Sequence, residues 1–373
     1  MEKLKVGRGL KAQEKIKRVR DTIYYNNPDI FPIADLFFWD AFITNWKNYF
    51  KLGKEIDIFT YYDLDMVVCS PNIDPIIDNV KEIEKTINYV IYRSGFGSIL
   101  KLNFLQPIHE FIDYAVKDIK DLDKFDFDDP FNEKRFNDFF ATTDQYYKSV
   151  PFNDQLNKYR TGFCILGNIC EARETIWRIM GLTNELIAIH DFPQILLKFG
   201  HRAADFNIEL GKVQLENENI DGLIVYGDVA YSGGLMMSRD SWRKIYYPPL
   251  KRICDALKKY NKPLVYHTDG NYLEILDDII EIGFNAIHPN EAKAGVDIVS
   301  LIDKYQNKIS FFGNIDATNA LSKDKTSIEK EVKYKLKALF SSGGYIPGGD
   351  DIPASVSPEN YDYFIRLLKE QRN

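Results

Sequence analysis

Five stretches between residues 221 and 351 decide the fold: Gly222-Leu-Ile-Val-Tyr-Gly-Asp228, Pro263-Leu-Val-Tyr-His-Thr-Asp269, Ala286-Ile-His-Pro-Asn-Glu291, Ile309-Ser-Phe-Phe-Gly-Asn-Ile-Asp316 and Gly344-Tyr-Ile-Pro-Gly-Gly-Asp-Asp351. Each is a short apolar run, as expected of a strand buried on both faces, and each stops at a carboxylate. A helical pattern follows every run, over 240–259, 272–282, 296–305, 327–340 and 358–369. Strands alternating with helices at this spacing predict a parallel sheet, and five units in succession favour a closed barrel over an open, doubly wound sheet. No GxGxxG fingerprint follows an early strand, which argues against a dinucleotide fold. Polar groups at the ends of successive barrel strands are where such barrels build active sites.

The N-terminal half fits the same plan less regularly. A charged helix is expected over residues 11–25, within an N-terminal helical extension of about 1–28, and Phe31-Pro-Ile-Ala-Asp-Leu-Phe-Phe38 reads as the first buried strand. Met66-Val-Val-Cys69 and Phe163-Cys-Ile-Leu-Gly167 read as further strands, and residues 168–219 carry helical periodicity. Between them, Tyr89-Val-Ile-Tyr-Arg93 and Gly97-Ser-Ile-Leu-Lys101 flank Ser94-Gly-Phe-Gly97, which predicts an antiparallel hairpin inserted over about 81–110. The expected fold is α/β, a TIM (β/α)8 barrel with an inserted β-hairpin in its N-terminal half, forming a single domain over 1–373. Such a barrel commonly reaches this length.

Composition narrows the function. A net charge of -7 provides no basic field for a phosphate backbone, so no nucleic-acid partner is expected. Cys69, Cys164, Cys170 and Cys254 show no metal or disulfide spacing and read as reduced packing residues. The charged N-terminus lacks an apolar leader, and no run approaches the length of a membrane span. A cytoplasmic protein without a membrane partner is therefore expected.

The strand ends nominate the chemistry. His267 and Asp269 are two apart, so both project to one side of their strand while Thr268 faces away, a disposition suited to holding a metal or moving a proton. The bland alternative for Asp269 is an Asp-Gly turn. Asp228 precedes the flexible Ser232-Gly-Gly loop, and Ser238 is the better candidate to cap the next helix. Glu291 and His288 lie in a segment where an exposed Glu and a His-Pro pair are ordinary. Asn314 and Asp316 again share a side, although Asp316 could cap a short helix over 317–321. Asp350 and Asp351 follow two glycines that leave room for backbone near a ligand. None of the five ends carries Arg, so the mouth suits a cation, a neutral hydroxylated ligand or a metal better than a polyanion. Carboxylates sharing a pocket raise one another's pKa, which would leave one of them as a general acid.

Gly227-Asp228, the run Ser238, Trp242 and Tyr247-Pro248, His267-Thr-Asp-Gly270, Gly313-Asn-Ile-Asp316 and Gly343-Gly-Tyr-Ile346 with Val356-Ser-Pro-Glu-Asn360 together resemble the uroporphyrinogen decarboxylase superfamily. The likeness is strongest over residues 221–371. Tyr92-Arg-Ser-Gly-Phe-Gly97, with Pro107-Ile-His-Glu-Phe111 and Val116-Lys-Asp118 further on, looks like a divergent branch that carries a hairpin insertion, and the chain as a whole resembles a branch related to the cobalamin- or corrinoid-dependent methyltransferases. The resemblance implies the barrel and two chemistries, porphyrinogen decarboxylation and methyl transfer. The true decarboxylases resemble one another in an Arg- and Gln-bearing N-terminal segment that grips substrate carboxylates. Here residues 29–39 hold neither, and an acidic pocket has the wrong sign for an eight-acid porphyrinogen.

His267 falls on the first zinc ligand of the methyltransferases, whose next ligands are cysteines where this chain has Asp269 and, near Gly349, Asp350 or Asp351. The implied catalytic residues are Asp228, His267, Asp269 and Asp350. Tyr226, Asn314, Asp316, Asp351 and Trp39 are expected to contact substrate, and His267, Asp269 and Glu291 to hold zinc or another divalent metal. The implied activity is methyl transfer involving a small methylated substrate or a corrinoid-bound methyl group, with a corrinoid protein as partner. A decarboxylase acting on uroporphyrinogen or a smaller acid is the alternative, and a non-catalytic corrinoid- or tetrapyrrole-binding barrel is the third reading. Barrel enzymes of this size often dimerise, so a homodimer is an expectation that no segment of the sequence localises.

Overall fold

The computed structural model describes residues 7–104, 109–138, 150–349 and 351–372. Seven parallel strands form one curled sheet in the order Met66–Val68, Cys164–Cys170, Gly222–Tyr226, Leu264–Thr268, Ala286–Pro289, Ser310–Ile315, Tyr345–Gly349. All five strands expected from the C-terminal half are present, side by side in chain order. The predicted first strand behaves differently. Only Phe37–Phe38 is regular strand, paired in parallel with Asp351–Ile352. Upstream, Ala34 N donates to Pro347 O at 3.2 Å while Ile33 O accepts from Asp65 N at 2.9 Å. The segment therefore bridges the two edges of the sheet and completes a TIM-barrel-like wall. The approach is close: a Cβ on Gly348 would meet Ala34 O at 1.9 Å, so only glycine fits there.

Alternation along the strands separates inside from outside. Met66, Leu166, Ile224, Val265, Ala286, Phe312 and Ile346 fill the barrel with Ala34 and Leu36, and Val19 and Ile23 of the helix Leu10–Ile23 pack into the same cluster. Leu223, Tyr266, Ile287 and Phe311 face outward onto Leu210, Ile253, Ile279 and Ile302. The connecting helices Arg239–Ile245, Tyr247–Leu257, Leu276–Ile282, Ile298–Tyr305, Lys325–Ser342 and Pro358–Glu370 occupy the predicted positions. Ser238 caps the first of them, its side chain accepting from Ser241 N at 3.1 Å.

The predicted hairpin, Tyr89–Arg93 against Ile99–Asn103, is the centre of a larger insertion. Lys81–Lys85 and His109–Asp113 flank it to make a four-stranded antiparallel sheet. The predicted span 81–110 includes residues 105–108, which lie outside the described residues. All four cysteines are buried and none forms a disulfide. Among the described residues no helix is long and apolar enough to cross a membrane.

One buried ion pair ties the N-terminal helix to the barrel. Asp65, with no exposed surface, accepts from Arg18 Nη1 at 2.5 Å, from Ile33 N at 2.7 Å and from the Arg372 guanidinium. Removing the carboxylate strands the Arg372 guanidinium and a backbone donor and leaves Arg18 with Asp29 at 3.5 Å. Asp65→Ala should destabilise the protein by about 3–5 kcal/mol in urea denaturation, and a loss below about 1 kcal/mol would refute the assignment.

Candidate functional site

The register of the parallel strands creates the site. His267 pairs with Tyr226 on one neighbouring strand and with His288 on the other, and since Val265 and Ala286 point into the barrel, His267 and His288 do so too. They lie at the carboxyl end of the barrel, beside a cavity of about 580 Å³ whose lining includes Tyr226, Asp228, His267 and Asp351. Among the described residues, one group of metal-capable side chains converges. Ligand atoms of Asp228, His267 and Asp269 all lie within 4.8 Å of one another. His267 Nε2 is 3.6 Å from Asp269 Oδ1, beyond hydrogen-bonding range, and Asp228 Oδ1 accepts from Asp269 N at 2.9 Å.

Asp269 carries the strongest electrostatic signal in this group. Its side chain is 43% exposed, yet Oδ1 is buried and has no hydrogen-bond partner among the described residues. Burial, reinforced by Asp228, Glu291 and Asp351 and opposed by Lys293, pushes its pKa up to about 8, with the open side of the carboxyl moderating the effect. Burial likewise raises Asp351, and here His267 and a hydrogen bond from Trp39 act in the opposite direction. His288, fully buried and next to His267, is held neutral.

The other predicted residues divide into two groups. Trp39 stands at the rim, 38% exposed, and its Nε1 donates to Asp351 Oδ2 at 3.4 Å. Tyr226 packs edge-on against His267 at 6.3 Å. Glu291 is not part of the convergent group: its Oε2 accepts from Gly270 N at 2.7 Å and its Oε1 pairs with Lys293 at 2.6 Å. In the metal-capable set Asp228 takes the place expected for Glu291, because residue 228 leaves the strand adjacent to His267.

Asn314 and Asp316 serve backbone rather than the cavity. Buried Asn314 donates to Val296 O at 2.7 Å and to Asn290 O, holding the loop after its strand. Asp316 caps the turn Ala317–Leu321 by accepting from Thr318 N at 2.9 Å and Asn319 N at 2.7 Å, the alternative role considered for it. Asp350 lies outside the described residues.

Residues without a strand-end signature complete the cavity. Phe37 from the bridging segment packs edge-on against both imidazoles, at 5.9 Å from His267 and 6.1 Å from His288. The lining also includes Asp74, Asn168, Glu174 and Arg178, and Glu174 Oε2 accepts from Asp228 N at 3.4 Å. Arg178 corrects the view of a mouth without arginine. It sits on the helix Ala172–Met180 rather than at a strand end, and its Nε donates to Glu174 Oε1 at 2.6 Å. Asp74, Glu174, Asp228 and Asp351 in the lining still outnumber one guanidinium, so the cavity remains acidic.

The donor set suits a divalent cation. One imidazole and two carboxylates form a harder set than thiolates, and the buried, unpartnered Asp269 Oδ1 is an oxygen that a cation would satisfy.

Comparison with known proteins agrees with this architecture. The family model described as uroporphyrinogen decarboxylase (URO-D) matches residues 177–371. The methylcobamide:CoM methyltransferase MtbA of Methanosarcina mazei is 25% identical over 280 residues, covering 74% of this chain and 76% of its own. A solved structure of a methyltransferase from Methanosarcina mazei superposes with a TM-score of 0.65 at 16% identity, over 96% of this chain and 99% of that one, and so shares the fold. With just over half of its length matched by the family model, the chain belongs to the uroporphyrinogen decarboxylase family, and it is related to corrinoid methyltransferases.

Proposed function

We propose that this chain is a methyltransferase that moves a methyl group between a corrinoid carried by a partner protein and a small-molecule heteroatom, with a divalent cation held by Asp228, His267 and Asp269. The observation that carries the reading is the convergence of those three side chains at the barrel mouth, in a chain akin to a methyltransferase. Bound there, a cation would act as a Lewis acid that lowers the proton affinity of the accepting heteroatom. The chain's own groups do the rest. Asp269, whose proton burial and the neighbouring acids help to hold, would give up that proton to serve as a ligand. Asp351, steadied by Trp39, stands beside His267 and is placed to take the proton that the heteroatom loses. Phe37 and Tyr226 cover the imidazoles with apolar surface and limit water there.

Porphyrinogen is a poor match for this cavity, since one paired Arg178 faces several carboxylates. The buried, unpartnered Oδ1 of Asp269 favours a second reading, decarboxylation of a smaller acid, in which that carboxyl, with its pKa pushed up by burial and the neighbouring acids, would protonate the carbanion left by CO2. Anaerobic incubation with methylcobalamin and a panel of small thiols separates the readings. Thiol- and protein-dependent loss of the methyl–cobalt absorbance is expected, with no change in carboxyl number when uroporphyrinogen is supplied. Stoichiometric CO2 release from an acid, with methylcobalamin untouched, would reverse the assignment.

A further inference from the structure

We propose that His288 is a positioning residue whose Nδ1 accepts a hydrogen bond from His267 Nδ1–H, so that His267 presents an unprotonated Nε2 to Asp228 and Asp269. The inference deepens the cation-site reading above and rests on it for its functional meaning, although the hydrogen bond can be tested alone. The two Nδ1 atoms are 2.8 Å apart, so one proton lies between them. The ring centroids are 5.0 Å apart with an interplanar angle of 29°, close to the edge-to-edge arrangement that an in-plane N–H···N bond needs, and the strand register that makes residues 267 and 288 direct partners holds them there.

Three observations place the shared proton on His267. Its Nε2 stands 3.6 Å from Asp269 Oδ1, too far for a hydrogen bond, and Oδ1 has no donor among the described residues, so no Nε2–H is committed to that carboxyl. His288 is fully buried with no carboxylate among its ring contacts to favour a doubly protonated ring, and its Nε2 has no hydrogen-bond partner among the described residues. That ring packs T-shaped on Phe312 at 4.7 Å, an apolar neighbour with no donor to offer a nitrogen lone pair. His288 is therefore the Nε2–H tautomer, and its Nδ1 lone pair fixes the tautomer of His267. An imidazole whose other nitrogen is anchored in this way makes an oriented and more basic ligand.

The test compares wild type with His288→Phe, which keeps an aromatic ring and loses the acceptor, and His288→Asn, whose Oδ1 can stand where the acceptor nitrogen was. In the 15N-histidine spectrum of metal-free wild type, His267 is expected to be protonated at Nδ1 and His288 at Nε2. Proton placement at His267 Nε2 would overturn the proposal whatever the metal behaviour. Titration with Co2+, followed by its ligand-field absorption, should show affinity about 10–100-fold weaker in His288→Phe and within about threefold of wild type in His288→Asn. Equal affinity in the two variants, with both folded by circular dichroism, would also overturn it. Absence of Co2+ binding by wild type would instead remove the cation site while the 15N result still decides the hydrogen bond.

Discussion

Replacing His267 by alanine should abolish stoichiometric divalent-metal binding and lower methyl transfer by at least about 10³-fold, comparable to losing a preorganised electrostatic contact at a reacting atom. The size follows from how much meets at this side chain. His267 supplies the nitrogen donor of the group formed with Asp228 and Asp269. It is also the hydrogen-bonding partner of His288 and the edge on which Phe37 and Tyr226 pack. The two remaining carboxylates offer oxygen only, and burial together with the neighbouring acids already pushes the pKa of Asp269 up. Metal analysis of chelator-free protein, with the thiol-dependent methylcobalamin assay beside it, checks both effects. The His267 side chain is 15% exposed at the cavity rather than part of the closed core, and a thermal melt near that of wild type separates lost chemistry from lost structure. Full activity in a metal-free His267→Ala protein would end the proposal.

The barrel was legible in the sequence because its signal is local: each C-terminal strand is a continuous apolar run with its own carboxylate, and period-2 alternation sends His267 inward and Thr268 outward. Whether a carboxylate enters the site depends on what its neighbours leave free. Asp316 and Asn314 sit at strand ends as an active-site residue would, yet nearby N–H and C=O groups claim them. Glu291 is claimed by Gly270 N and Lys293. Asp228, 41 residues from Asp269 in the chain, joins it because their strands are adjacent, which is visible only once sheet order is known.

Arg178 and Phe37 were beyond the reach of strand-end reasoning, one lying on a helix and the other in a segment that closes the barrel through backbone hydrogen bonds. His288 was readable as a polar residue in an apolar run. Its significance comes from cross-strand register with His267, which a single strand cannot reveal.

Metal affinity should rise about tenfold per pH unit below pH 8 through Asp269 alone, a change of roughly 10³ between pH 5 and 8, and then level off. The sign follows from linkage. The cation takes the carboxylate form, whereas burial and the neighbouring Asp228, Glu291 and Asp351 keep Asp269 protonated up to about pH 8, so binding at lower pH must expel that proton. Stability of the metal-free protein should move the opposite way. A carboxyl whose folded pKa lies above its unfolded value near 3.8 favours the folded state at low pH and loses that advantage as pH climbs toward 8. Added Co2+ or Zn2+ should therefore raise the melting temperature more at pH 8.5 than at pH 6, with net proton release on binding at pH 6.5 that disappears in Asp269→Asn. Isothermal titration in buffers of different ionisation enthalpy measures that release. A pH-independent affinity between 5 and 8 would show that Asp269 is not a ligand and would leave its buried Oδ1 to the competing role, proton donation to a carbanion.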